Sequence, residues 1–218
     1  MKVAAMIVLF LMTTLLPASL LGVAPRATIA QVSTYTHTIY ESTITDSHKC
    51  SATAIGPHAL LTAAHCELGV DDIAVDNPDH AIKIVRVVRD GADHTIYYLD
   101  TTFATFAPIN TATPGIGDDV FMIAGPAEFT NVFRRGYVAK VVVDMFDNQV
   151  LLLYDLNGFH GDSGAGLFND NGELTGVLTA GLVLDKTSEK TTDEMSAKFM
   201  TGLALRFTPA QLLEASGK

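Results

Sequence analysis

From Gln31 onward the chain is a succession of short runs rich in Val, Ile, Thr and Tyr, interrupted at frequent intervals by Gly, Pro, Asn and Asp. β-Branched and aromatic runs of this length, bounded by turn formers, predict strands. In the first half they fall at 34–40, 51–55, 59–62, 73–75, 81–88 and 95–99, and in the second at 119–123, 132–143, 150–154, 164–168, 174–184 and 198–206. Asn77-Pro78-Asp79 reads as a turn between two of them, and Asp147-Asn148 and Asn169-Asp170-Asn171-Gly172 read as hairpin connections. Between the halves, 102–117 carries Pro, Thr and Gly and no strand pattern. The pattern turns helical only at the end. There Thr208 stands as N-cap, Pro209 occupies the first helical position, and Gln211 completes a capping box. The class is therefore all-β with a short C-terminal helix.

The beginning of the chain has a different pattern. Lys2 is followed by an apolar stretch from Val3 to Leu16 and a second apolar patch ending near Ala24, the layout of a signal peptide. Cleavage after Ala30 is expected, with a cut nearer Ala24 as the alternative. An uncleaved anchor is the other reading, because 3–24 is about the 20 residues that a bilayer requires. We thus expect residues 1–30 to be a signal peptide or N-terminal membrane anchor and residues 31–218 to be one domain, secreted, periplasmic or held at a membrane only through that segment. A length of 218 residues suits such a division.

Charge narrows the partners. Lys2 and Arg26 are the only charges before Gln31, which leaves 12 basic against 24 acidic residues, a formal −12. A nucleic-acid binder needs a basic footprint, so nucleic acid is not expected as a partner. The one basic doublet, Arg134-Arg135, reads as a solvated hairpin edge. No cofactor or metal is expected. The histidines other than His65 (His37, His48, His58, His80, His94 and His160) are scattered, and Asp71, Asp72, Asp76 and Asp79 lack the spacing of a calcium loop. Two cysteines alone, Cys50 and Cys66, suit an exported protein with one disulfide.

The candidate chemistry sits in Gly161-Asp162-Ser163-Gly164-Ala165-Gly166. Glycines at 161 and 164 let the backbone turn sharply and approach a substrate closely. The amides of Gly161 and Ser163 could then point at one oxygen, the arrangement that stabilises the charge developing in acyl transfer. A serine hydroxyl needs a base. His65, in Leu61-Thr62-Ala63-Ala64-His65-Cys66, is the outstanding candidate.

Thr62-Ala63-Ala64-His65-Cys66 together with Gly161-Asp162-Ser163-Gly164 resembles the trypsin-like (chymotrypsin-fold) serine protease family, in the same chain order. The resemblance covers roughly 33–213 but is specific only at these two motifs. It implies a double six-stranded antiparallel β-barrel closed by a C-terminal helix. It also implies serine endopeptidase activity on protein or peptide substrates, with Ser163 as nucleophile, His65 as base and an aspartate between them. Asp93 fits best, since Asp93-His94-Thr95-Ile96-Tyr97-Tyr98-Leu99 resembles the family's aspartate and the strand after it; Asp90 and Asp100 are fallbacks. The order also excludes an α/β-hydrolase, which needs its histidine after the serine.

In the resembled family Cys50 and Cys66 are bridged, which here would contribute on the order of 3 kcal/mol and pin His65. By the same resemblance Asn157, His160, Thr179 and Gly181 would bind substrate, with Asn157 at the pocket base. No carboxylate stands there to favour lysine or arginine, so a small or apolar side chain is expected. The family's activation start, an Ile-Val-Gly-Gly-like sequence whose ammonium binds the aspartate before the serine, has no counterpart upstream of His65. Asp162 should then be satisfied by internal donors such as backbone amides or a hydroxyl. The alternative in a different class is a non-catalytic binding module on the same fold, and a structural envelope component is a third possibility.

Overall fold

The structure, a computed structural model, describes residues 26–42, 47–67, 69–143, 150–182, 199–203 and 205–218. The apolar leader before Arg26 lies outside them. Among the described residues no helix is long and apolar enough to cross a membrane.

Twelve strands form two closed antiparallel barrels of six. The first is built from β1 (Thr36–Ser42), β2 (Ser47–Ala54), β3 (Ala59–Ala63), β4 (Asp72–Val75), β5 (Ala81–Arg89) and β6 (His94–Leu99), closed in the order β1-β2-β3-β6-β5-β4. The second contains β7 (Asp119–Ala124), β8 (Val132–Val143), β9 (Val150–Asp155), β10 (Gly166–Phe168), β11 (Leu174–Leu182) and β12 (Phe199–Leu203), closed as β10-β11-β12-β9-β8-β7. Six short strands per half, each with a turn at its ends, close in this way because a barrel leaves no unpaired edge.

Strand periodicity divides the apolar residues between two environments. On β7, Val120, Met122 and Ala124 point into the second barrel with Val138, Leu152, Tyr154, Leu167 and Leu178. Their neighbours Phe121 and Ile123 face the other way and join the core that contains Ile39, Leu60, Leu61 and Tyr97 of the first barrel. One strand thus serves both the interior of its own barrel and the seam between barrels, as its two-residue period requires. Phe168 anchors the seam, with ring centroids 5.7 Å from Tyr35 and 5.8 Å from Phe121. All five residues of β3 are buried, so the strand that leads to His65 is held on both faces.

Two helices cap the structure. The C-terminal one, α2 (Pro209–Ala215), has the capping box read from the sequence, with Thr208 accepting from the Gln211 amide and Gln211 accepting from the Thr208 amide. It buries Leu212 and Ala215 against the first barrel. Gly56 makes this contact possible, since a Cβ there would lie 1.7 Å from the Ala215 carbonyl oxygen. The other helix, α1 (Arg26–Val32), is not part of the strand pattern, and it runs across the expected cleavage point after Ala30. Val32 is fully buried and Ile29 packs on the same core. Tyr35 follows, donating its hydroxyl to the Gly172 carbonyl at 2.8 Å, and burial pushes its pKa up to about 12.

Candidate active site

The histidine and the serine reach the seam from opposite barrels. β3 ends at Ala63 and passes into a single 3₁₀ turn, Ala64–Cys66, which carries His65. Cys66, at the end of that turn, is bonded to Cys50 on β2, with Cα atoms 6.2 Å apart. Two further ties hold the turn to the loop before β6. The Ala64 amide donates to the Asp93 carbonyl at 3.1 Å, and the His65 amide donates to Asp93 Oδ1 at 2.9 Å.

The other oxygen of the same carboxylate meets the imidazole. Asp93 Oδ2 lies 2.7 Å from His65 Nδ1. This bond raises the His65 pKa against the opposing effect of its partial burial, and the negative charge of Asp93 adds to the rise. A carboxylate on Nδ1 holds that nitrogen protonated and leaves Nε2 as the basic position. The imidazole remains 45% exposed and accessible. Asp90 faces elsewhere: its Oδ2 is 2.6 Å from His94 Nδ1, and both side chains are fully buried. Burial alone would raise the Asp90 pKa, but the bonds from His94 and from the Arg206 and Ala92 amides outweigh it and lower it. Asp100 is exposed at the far end of β6.

Ser163 sits in a turn that only glycine can make at two points. Gly161 has φ +97° and Gly164 φ +83°. A Cβ on Gly164 would stand 2.1 Å from Thr62 Oγ1 and 2.2 Å from the Ser51 carbonyl oxygen, so β2 and β3 of the first barrel press directly on the serine turn. Within the turn the Asp162, Gly164 and Ala165 amides donate to the carbonyls of Phe159, Leu178 and Asp162. The amides of Gly161 and Ser163 have no partner among the described backbone hydrogen bonds. Two donors left unpaired in one turn can serve a ligand oxygen. The Ser163 carbonyl takes the Ser51 amide at 2.8 Å. Cys66 Sγ lies 3.7 Å from that carbonyl, a packing contact only, because a disulfide sulfur has no proton to donate.

Asp162 is fully buried, and its charge is met from within the chain. Oδ2 accepts from Arg134 Nη1 at 2.6 Å and from the Phe159 amide at 2.7 Å. The backbone amide is the kind of donor read from the sequence, whereas the guanidinium is not. Arg134 is only 12% exposed and its guanidinium lies 5.2 Å from the Phe159 ring centroid, so the basic doublet is not a solvated edge. Arg135 is paired as well, with Asp119 at 3.0 Å and Asp170 at 3.3 Å.

The remaining sequence-predicted residues lie around this turn. Asn157 and His160 are exposed just before it. Thr179 is buried and donates its hydroxyl to the Thr201 carbonyl at 3.1 Å. Gly181 pairs with Met200 across β11 and β12. Two residues with structural parts in the site, Arg134 and Ser51, were not visible in the sequence. An arginine on a long amphipathic strand and a serine after a cysteine carry no local signal for a partner that is distant in the chain.

Comparison with known proteins identifies the family. The trypsin-like peptidase domain matches residues 50–177, more than half of the chain. A serine endoprotease of Salmonella typhimurium, DegS, is 35% identical over 91 residues, 40% of this chain and 25% of the relative, so the chain spans about a quarter of that relative's length by this match. Among solved structures, the active form of the Rv3671c protease of M. tuberculosis superposes with a TM-score of 0.68 at 17% identity, covering 87% of this chain and 84% of that one. The HtrA-type protease AlgW, solved with a tripeptide, gives 0.66 at 17% identity, covering 87% and 61%. A serine endoprotease of Yersinia pestis gives 0.62 at 21% identity, covering 87% and 63%. With the domain matched over more than half of its length and two six-stranded barrels in its fold, the chain belongs to the trypsin-like peptidase family.

Proposed function

We propose that this chain is a serine endopeptidase that cleaves peptide bonds through Ser163, His65 and Asp93. The observation that carries the reading is the double grip of the Asp93 carboxylate, which binds Nδ1 of His65 and the His65 amide at once. Such a grip fixes both the tautomer and the direction of the ring, which a packed surface histidine would not need. Ser163 Oγ attacks the scissile carbonyl while His65 Nε2 takes its proton. The oxyanion that forms is met by the Gly161 and Ser163 amides. His65 then passes the proton to the leaving amine, and a water activated by the same imidazole hydrolyses the acyl-enzyme.

Extended peptides are the substrate class. AlgW, on the same fold, has been solved with a tripeptide and a decapeptide. Asn157, His160, Thr179 and Gly181 would flank the side chain before the scissile bond, a small or apolar one since none of the four is charged like a carboxylate. The domain would act outside the cytoplasm, where a disulfide such as Cys50–Cys66 persists. The apolar leader would serve as signal or tether.

The test is labelling by a fluorophosphonate. The parent protein is expected to be modified covalently, and Ser163→Ala and His65→Ala are expected to remain unmodified or nearly so. A folded parent that takes no label, with a Ser163→Ala variant that behaves identically, would overturn the enzyme reading in favour of a binding module.

A further inference from the structure

Ser51 is absent from the chemistry above, yet among the described residues of the first barrel it makes two hydrogen bonds to the serine turn. It is 1% exposed. Its amide donates to the Ser163 carbonyl at 2.8 Å, and its hydroxyl donates to the Gly161 carbonyl at 2.8 Å. The same hydroxyl accepts from the Gly125 amide at 3.0 Å, and Thr62 donates to the Ser51 carbonyl at 2.8 Å. One hydroxyl thus links the loop 125–129, after β7, to the carbonyl of Gly161.

That loop is itself set against the turn. Ala127 donates its amide to the His160 carbonyl at 3.0 Å. It does so from a left-handed conformation, φ +46°, which is costly for a residue with a Cβ and persists only where its surroundings enforce it. Lys49, two residues before Ser51 on β2, donates its ammonium to the Ala127 and Phe129 carbonyls. Gly161 has no room to lean away, since a Cβ there would stand 2.7 Å from the Gly125 carbonyl oxygen and 3.2 Å from the Ala127 nitrogen.

The C=O and N–H of one trans peptide point in opposite directions. Holding the His160 carbonyl toward Ala127 therefore aims the Gly161 N–H away from the loop, and holding the Gly161 carbonyl toward Ser51 fixes the next plane as well. We propose that Ser51 is a positioning residue for the oxyanion hole: through its hydroxyl, and with Lys49 bracing loop 125–129 from the same strand, it keeps the Gly161 amide directed at the site where substrate charge develops. The inference rests on the peptidase reading above. It adds that the donor direction is set by the first barrel, the one that supplies His65: β2 carries both Ser51 and Cys50, whose disulfide ties down the histidine turn that follows β3.

The prediction separates transition-state from ground-state effects. In Ser51→Ala, kcat on a peptide substrate is expected to fall about 10- to 100-fold, less than the loss for deleting a hole donor outright, with KM within about twofold. Affinity for a peptide aldehyde, whose hemiacetal oxygen occupies the hole, should fall in step with kcat, while affinity for the product peptide stays unchanged. Ser51→Thr, which keeps the hydroxyl, should recover most of kcat. If Ser51→Ala does not fold, Lys49→Ala, on a less buried side chain, reads the same loop and is expected to show a smaller loss confined to kcat. A fall in kcat/KM carried by KM, or aldehyde affinity unchanged in either variant, would overturn the proposal. Absence of hydrolysis and labelling in the parent would instead overturn the peptidase reading.

Discussion

His65 depends on one carboxylate for two properties, its direction and its basicity. The bond from Asp93 raises the imidazole pKa, so a rate that needs neutral His65 rises with pH through a value above the ordinary histidine figure of about 6.5. A kcat/KM profile of the parent is expected to show its acidic limb there. Asp93→Asn removes the charge and leaves one acceptor oxygen for two donors, the His65 amide and the Nδ1 proton, so the limb should move down in pH while the plateau falls by about 10³- to 10⁴-fold. A variant that lost activity with the limb unmoved would show Asp93 to be a structural residue only. Asp90, three positions earlier, illustrates why sequence separation could not choose between them. Both aspartates stand beside a histidine in space, but Asp90 is bonded to the fully buried His94 and Asp93 to the accessible His65.

At the level of elements, the strands were legible as short β-branched and aromatic runs between turn formers; where both faces are covered, as on β7, the run 120–124 is apolar throughout and carries no alternation. The C-terminal helix was legible through its cap. Gly56 extends that prediction into the fold. Gly56→Ala sets a methyl against the Ala215 carbonyl and should cost about 3 kcal/mol, lowering Tm by roughly 6–12 °C in a chain of this size. An unchanged Tm in a scanning calorimeter would mean that α2 is not docked as described. The helix α1 could not be read, because seven residues of mixed character, Arg26 to Val32, are too short to show a helical period, and tertiary contact through buried Val32 and Ile29 holds them. Arg134 was missed for the opposite reason. Its partner Asp162 lies 28 residues away on another element, and nothing local distinguishes a paired arginine from a solvated one.

Across the whole molecule, the Arg134–Asp162 pair ties the serine turn to β8 of the second barrel. A buried carboxylate must be compensated, and here β8 supplies the cation from within the second barrel. Chains starting at Arg26, with a free or a blocked terminal amine, are therefore expected to cleave peptides equally well. Arg134→Ala leaves Asp162 buried with the Phe159 amide but no countercharge, at a cost of about 3–5 kcal/mol, and should depress activity, with Asp162→Asn in the same chain recovering part of the stability. Activity found only with one untagged terminus would show that a terminal ammonium organises the site after all. The Cys50–Cys66 bridge has another bearing on the finished molecule. It encloses β3 and His65 within one covalent ring, so a nick anywhere from Ser51 to His65 severs the main chain without producing two separable fragments. On the peptidase reading the chain is exposed to cutting by its own copies, and damage within this ring would then leave the pieces chained together and in register, so that only a reductant would let them part.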